Sequence, residues 1–196
     1  MSPQFPPGVR GNQNAASRCD GETFPQSLFR PPPRILIIED DENDEILLRR
    51  AFDFTGQEIP MHFARDGAQA IDYLSGIGHY ADRSRYPLPT LVLLDLKMPG
   101  LTGFDVLRWL RSQPAFLRVP VVVLSGSMWP GDIDEAYRLG ANSYLVKPAK
   151  RQDLIEIVQM ASTYWFQMNF CSQKIEQRET FTAVKPVKRA EVSAEP

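Results

Sequence analysis

Ile35-Leu36-Ile37-Ile38-Glu39-Asp40-Asp41 sets an unbroken apolar run directly against three acids. Four apolar residues without alternation read as a strand buried on both faces, because a strand with one wet face would alternate. The pattern returns outward along the chain. Leu91-Val92-Leu93-Leu94 runs into Asp95, Val121-Val122-Val123-Leu124 into Ser125-Gly126-Ser127, and Ser143-Tyr144-Leu145-Val146 into Lys147-Pro148. Ile59 to Ala64 alternates, and Pro60, which has no amide to donate, marks it as an edge strand. Helical patterns fill the intervals. The first carries Leu47, Ala51 and Phe54 on one face with Gly56 as its stop, and the second carries Ala70, Ile71 and Leu74 after an Asp66-Gly67 turn. Thr102 caps a third with Val106, Leu107 and Leu110, and a fourth opens at Pro130 and ends at Gly140. The last shows a Leu154, Ile157, Val158, Ala161, Trp165 stripe, and a long loop spans Ser75 to Pro89.

Five strand–helix repeats with apolar strands predict an α/β domain, a doubly wound five-stranded parallel sheet covered by helices on both faces. Right-handed crossovers and an edge-like second strand favour the strand order 2-1-3-4-5. Ligands bind such sheets beyond the carboxyl ends of the strands, where the order reverses. The residues there are Glu39, Asp40 and Asp41 from the first strand, Asp95 from the third, Ser125 from the fourth and Lys147 from the fifth. Several carboxylates within about 4–6 Å cannot all stay ionised unless a positive charge intervenes. An all-oxygen set suits a hard divalent cation, and Mg2+ fits because it keeps waters and takes few protein ligands.

Composition divides the chain in three. Residues 1–33 hold seven of the seventeen prolines and predict a Pro-rich, unpacked leader. Residues 34–168 carry the apolar periodicity, and 169–196 turn polar and mixed in charge, which predicts a mobile tail. A net charge of −2 gives no electrostatic case for nucleic acid. The apolar runs are far shorter than a membrane span, and no basic, then apolar, signal segment opens the chain. Cys19 and Cys171 form neither a disulfide framework nor a zinc site. A cytoplasmic location is expected.

Ile38-Glu39-Asp40-Asp41, Leu94-Asp95-Leu96-Lys97-Met98-Pro99, Leu124-Ser125-Gly126 and Tyr144-Leu145-Val146-Lys147-Pro148 resemble, in order, the signatures of response-regulator receiver domains. The long Ser75–Pro89 loop and Tyr164-Trp165 look most like the stand-alone, phytochrome-associated members. The resemblance implies a flavodoxin-like receiver fold in which Asp95 takes a phosphoryl group from a sensor histidine kinase or a phosphotransfer protein. It further implies that Asp40, Asp95 and the Lys97 backbone carbonyl hold Mg2+, with Glu39 acting through metal-bound water. Ser125, the Gly126 amide and Lys147 would contact the phosphoryl oxygens, and Ser125 with Tyr144 would form the conformational switch. Lys97 and Ser127 stand where the family tunes phosphoryl lifetime. Neither is an acid able to orient a hydrolytic water, so the phosphorylated form is expected to last minutes or longer. Thr102 and Ala149 depart from the family's usual Asp and aromatic.

Plainer roles stand beside these. Glu39-Asp40-Asp41 is also suited to cap the first helix, and Tyr144 to be a half-buried strand aromatic. His62 and His79 sit on an edge strand and a loop, as structural or solvent-facing residues would. Two other functions compete: an Mg2+-dependent phosphatase with an Asp nucleophile, and a phosphorylation-independent pseudo-receiver. The first lacks an acid two residues after Asp95, where Lys97 stands. The second typically loses the acceptor Asp or the Lys, and both are present. No phosphate-cradling Gly-rich loop of the GxxxxGK[ST] kind appears, so direct use of ATP is not expected. Output is expected through a protein contact on the fourth-helix, fifth-strand and fifth-helix face, as a homodimer or a docked kinase. Trp129, Tyr137, Tyr144 and Tyr164-Trp165-Phe166 would supply its aromatic surface; the plainer reading is that Trp165 and Tyr164 only seal the sheet's underside.

Overall fold

Backbone pairing in the computed structural model, which describes residues 32–56 and 58–169, turns the apolar runs into one parallel sheet. Its strands are β1 (Ile35–Ile38), β2 (Met61–Ala64), β3 (Leu91–Leu94), β4 (Val121–Ser125) and β5 (Ser143–Val146), in the order β2-β1-β3-β4-β5. The five helices between and after them are α1 (Glu42–Asp53), α2 (Gly67–Ser75), α3 (Gly103–Ser112), α4 (Pro130–Arg138) and α5 (Arg151–Ser162). Two short 3-10 turns, Gly78–Ala81 and Pro114–Phe116, lie in the connections. The Pro-rich leader expected over 1–33 and the polar tail expected over 169–196 fall outside the described residues, apart from Pro32, Pro33 and Asn169.

Successive strand residues point to opposite faces, and the core divides accordingly. Leu36, Ile38, Val92, Leu94 and Val121 pack with Ala70, Leu74, Val106, Leu107 and Leu110 of α2 and α3. Ile35, Ile37, Leu91, Leu93, Val122 and Leu124 pack with Leu48, Ala51 and Phe52 of α1 and with Leu154, Ile155 and Val158 of α5. Val123 meets Ala136 of α4 and Leu96 in a smaller cluster on the α2–α3 side.

The α1 face predicted from Leu47, Ala51 and Phe54 needs correction. Leu48, Ala51 and Phe52 are the buried residues, and Leu47 only flanks them. The helix ends at Asp53, so Phe54 leaves the apolar face and stands 60% exposed. The α5 stripe holds at Leu154 and Val158, with Ile157 and Trp165 packed half-buried beside them, and it is wider than predicted. Leu154, Ile155, Val158 and Ser162 are buried, and from Thr163 to Met168 the helix widens into a π turn that alters the phase. Trp165 and Phe166 then pack partly against the α1–α5 core, so only Tyr164 of that aromatic triplet stands well exposed. The β2 strand is shorter than the Ile59–Ala64 alternation, because Pro60 has no N–H to pair; its carbonyl still accepts from the Ile35 N–H at 3.0 Å.

Thr102 caps α3 and exchanges hydrogen bonds with Asp105 in a reciprocal box. His62 and His79 join Tyr73, Tyr80 and Tyr86 in an aromatic cluster; His62 stacks on Tyr73 at 4.4 Å and His79 lies 3.7 Å from Tyr80. Arg111 ties together the connections that precede β4 and β5. Its guanidinium donates to the carbonyls of Gly140, Phe116 and Val119 and to Asn142 Oδ1, at 2.9–3.1 Å. Arg111→Met leaves three backbone carbonyls short of a charged donor. It is expected to cost about 2–4 kcal/mol in denaturant unfolding, against under 1 kcal/mol for a surface Arg.

Candidate functional site

Strand register brings the polar residues together. Ile38 pairs with Leu94, and the Asp95 N–H donates to the Ile38 carbonyl at 2.9 Å, so Glu39 and Asp95 leave neighbouring strand ends side by side. Ser125 pairs with Val146, and the Lys147 N–H donates to the Ser125 carbonyl at 2.9 Å, which sets Lys147 at the same end of the sheet. Acids thus come from β1 and β3, a hydroxyl from β4 and an ammonium from β5.

The Lys147 side chain spans the crevice. Its Nζ lies 2.6 Å from Glu39 Oε2, 2.8 Å from Asp44 Oδ2 and 2.8 Å from Asp95 Oδ2. Burial alone would lower the Lys147 pKa, but hydrogen bonds to Asp44, Asp95 and Glu39 outweigh it, and the net shift is upward. Glu39 is 3% exposed, and burial pushes its carboxyl up to about 7 although Lys147 pulls the other way; the charges of Asp95 and Asp44 add to the rise. Sequence reasoning left Asp44 out of this set. It is the third residue of α1, and only the fold carries it to Lys147.

One Asp95 oxygen, Oδ1, accepts from the Leu96 N–H at 2.6 Å and the Lys97 N–H at 3.3 Å. Asp40, nearer the surface, carries no hydrogen bond or ion pair among the described residues. Oxygens of Glu39, Asp40 and Asp95 lie within 4.8 Å of one another. Three carboxylates, two of them buried, fit a hard divalent cation by donor type and spacing. Asp41 does what its plainer role predicts: it caps α1 by accepting from the Asn43 N–H at 2.7 Å.

The Ser125 hydroxyl is fully buried and has no hydrogen-bond partner. Such a group is costly unless another state supplies a partner. Gly126, one residue on, is open at the mouth of the crevice. The Tyr144 hydroxyl donates to the Ser127 carbonyl at 2.9 Å, and the Ser125 hydroxyl lies near it without completing a hydrogen bond. The Lys97 side chain turns out of the crevice to Asp132 of α4, 2.7 Å away. Ser127 donates to the same carboxylate oxygen. Those two contacts hold the Asp132 carboxyl below its usual range. Nothing in the sequence spacing singles out Asp132, because its partners stand 35 and 5 residues away on two different loops.

Gly103 fixes the loop that carries Asp95. A Cβ there would lie 2.1 Å from the Asp95 carbonyl oxygen and 2.7 Å from Leu96 Cα, and neither is a flexible side-chain end. Alanine is the better helix former by about 1 kcal/mol, yet the backbone clash decides the sign. Gly103→Ala is expected to lower the unfolding free energy by about 2 kcal/mol or more and to weaken divalent-cation binding, both read by thermal melts with and without Mg2+.

Comparison with known proteins agrees with this geometry. The model of the response regulator receiver domain matches residues 35–159. The response regulator Rcp1 of Synechocystis is 34% identical over 137 residues, 70% of this chain and 91% of Rcp1, and its Mn2+-bound crystal structure superposes with a TM-score of 0.66. The phosphorylated cyanobacterial phytochrome response regulator RcpA is 33% identical, with a TM-score of 0.68 over 73% of this chain and 100% of RcpA. RPA3017, a response regulator in red light signalling of R. palustris, is 36% identical, with a TM-score of 0.69 over 72% and 99%. Among the described residues no helix is long and apolar enough to cross a membrane. With the parallel sheet in the order β2-β1-β3-β4-β5, the acids of β1 and β3 and the lysine after β5, the chain belongs to the response regulator receiver family of two-component signalling, close to its phytochrome-associated members.

Proposed function

We propose that residues 34–168 form a receiver that accepts one phosphoryl group on Asp95 from the phosphohistidine of a sensor kinase or phosphotransfer protein. An Asp95 carboxylate oxygen forms the O–P bond as the P–N bond breaks; the imidazole leaves with that electron pair and is neutral or protonated according to pH. The convergence of Glu39, Asp40, Asp95 and Lys147 on one crevice carries this proposal. Asp40, Asp95 and the Lys97 carbonyl would hold Mg2+, with Glu39 acting through a bound water, and the cation supplies charge that offsets repulsion between carboxylate and phosphoryl group. Lys147 would pass from carboxylates to a phosphoryl oxygen as a compact positive charge. Ser125, whose hydroxyl lacks a partner, would donate to another oxygen with the Gly126 amide beside it, and Tyr144 would follow Ser125 as the switch.

Phytochrome-type kinases are the favoured partners, since RcpA is described as a phytochrome response regulator. Output would run through a protein contact or homodimer at the face carrying Trp129 and Tyr137, which are 67% and 50% exposed. The phosphatase alternative loses ground: the acid nearest Lys97 is Asp132, held ionised and so unfit as a general acid. A pseudo-receiver would keep this fold and take up no phosphoryl group.

The test is intact-mass measurement after incubation with acetyl phosphate. One phosphoryl group is expected with Mg2+ and none with a chelator. Asp40→Asn is expected to weaken Mg2+ binding about tenfold or more while stabilising the metal-free protein, because one of the crowded carboxylates becomes neutral. An unchanged Mg2+ titration in that variant would place the cation elsewhere.

A further inference from the structure

Ser127 is gripped from two sides. Its hydroxyl donates to Asp132 Oδ2, and its carbonyl accepts from the Tyr144 hydroxyl at 2.9 Å. The same Asp132 oxygen takes the Lys97 ammonium at 2.7 Å. Lys97 follows Asp95 by two residues and Ser127 follows Ser125 by two, so one carboxylate oxygen on α4 ties together the two loops that flank the crevice. Asp132 is 7% exposed, and Trp129, the residue at the N-terminal cap of α4, offers no side-chain cap. The Asp132 carboxylate is therefore committed to the two loops.

We propose that Asp132 is a positioning residue that latches the β4–α4 loop to the loop after β3 in the unphosphorylated chain. Phosphoryl uptake at Asp95 then has to release this latch. The proposal rests on the receiver function assigned above and adds to it a device specific to Lys97, Ser127 and Asp132. The Ser125 hydroxyl is buried without a partner, and a shift of the chain at 125–127 towards the phosphoryl group supplies one. That shift drags Ser127, whose hydroxyl has to leave Asp132. Lys97, freed in the same step, gains a dianionic phosphoryl group nearby in exchange for Asp132. The latched and released states thus differ in the two contacts that meet on Asp132 Oδ2, which is what a bistable element requires.

The experiment compares wild type, Asp132→Ala and Asp132→Asn by two measurements. Amide hydrogen exchange at residues 126–129 reads the latch in the unphosphorylated protein. Intact mass against time, with Mg2+ and acetyl phosphate, reads uptake. Asp132→Ala is expected to raise exchange at 126–129, leaving the β1 and β3 amides as protected as in wild type, and to speed uptake about fivefold or more. Asp132→Asn keeps an acceptor for Ser127, so exchange there is expected to stay nearer wild type and uptake to fall between the other two. Unchanged exchange in Asp132→Ala overturns the latch whether or not the chain takes up phosphoryl. Equal acceleration by Asn and Ala with no loosening of 126–129 also overturns it, because charge alone would then be the cause. Loosened exchange with wild-type uptake overturns the link to phosphorylation. If wild type takes up no phosphoryl group, the receiver function fails and takes the uptake link with it, while the exchange result still decides the latch.

Discussion

Asp95→Asn is expected to abolish phosphoryl uptake from acetyl phosphate, while the folded state survives. The amide is a weak nucleophile, and its oxygen is a weaker ligand for a hard cation. Neither Glu39 nor Ser125 replaces it. Glu39 is buried and bound to Lys147, and burial drives its carboxyl towards the protonated form near neutrality. Ser125 has a hydroxyl but no hydrogen-bonded base to activate it. The fold persists because the Leu96 and Lys97 amides that contact Asp95 Oδ1 still find an acceptor in the asparagine oxygen. Intact mass checks the first claim and a thermal melt the second. Acid-stable phosphorylation at Ser125 in the variant would remove Asp95 from its proposed role. Steady release of phosphate from a generic ester by wild type would instead revive the phosphatase.

How much of this was legible in the sequence depended on whether a signal was local. Each apolar run of β1, β3 and β4 reads as a strand on its own, and the polar residue after it marks the strand's carboxyl end; the fold then needs only the crossover rule. The Thr102 cap and the Pro130 start were legible for the same reason. The α1 face was not. Residues 47, 48, 51 and 52 form one broad apolar arc, and periodicity cannot say which edge faces the sheet or that the helix stops before Phe54. Along α5 the stripe is legible at Leu154, Val158 and Trp165, whereas Ile155 and Ser162 join the core because the buried arc is wider than one stripe. That Glu39, Asp40, Asp95, Ser125 and Lys147 share one end of the sheet is legible because topology alone gathers strand ends. Asp44 and Asp132 were missed because helices bring them in, and Asp132 meets Lys97 only through side chains 35 positions apart.

Lys147→Met is expected to destabilise the metal-free protein by about 3–5 kcal/mol at pH 8, and by less at pH 5. The substitution keeps the aliphatic stem and removes the ammonium that pairs with two buried carboxylates, Glu39 and Asp95. The pH dependence follows from Glu39. In wild type its folded pKa is about 7, against an ordinary value of 4.5. The folded state then binds the proton more tightly than the unfolded one. The associated stability is fully present below pH 4.5 and is lost as pH rises through 7, a decline on the order of 3 kcal/mol. Without Lys147 the folded pKa rises further, because the hydrogen bond and charge that lowered it are gone, so the variant loses more over the same interval. His62 works in the opposite sense. Burial lowers its pKa, so its stability contribution is lost as pH falls through the ordinary value of 6.5 towards the lowered one. The contribution of Glu39 is therefore isolated by difference, with Glu39→Gln as the reference. Denaturant unfolding from pH 5 to 8 is expected to show a downward slope in wild type that Glu39→Gln flattens and Lys147→Met steepens. Mg2+ should restore stability mainly at the alkaline end, where a cation finds ionised carboxylates to bind. A wild-type profile identical to that of Glu39→Gln would show that Glu39 ionises normally in the fold, and the electrostatic account of the crevice would have to be rebuilt around Asp95 and Asp44.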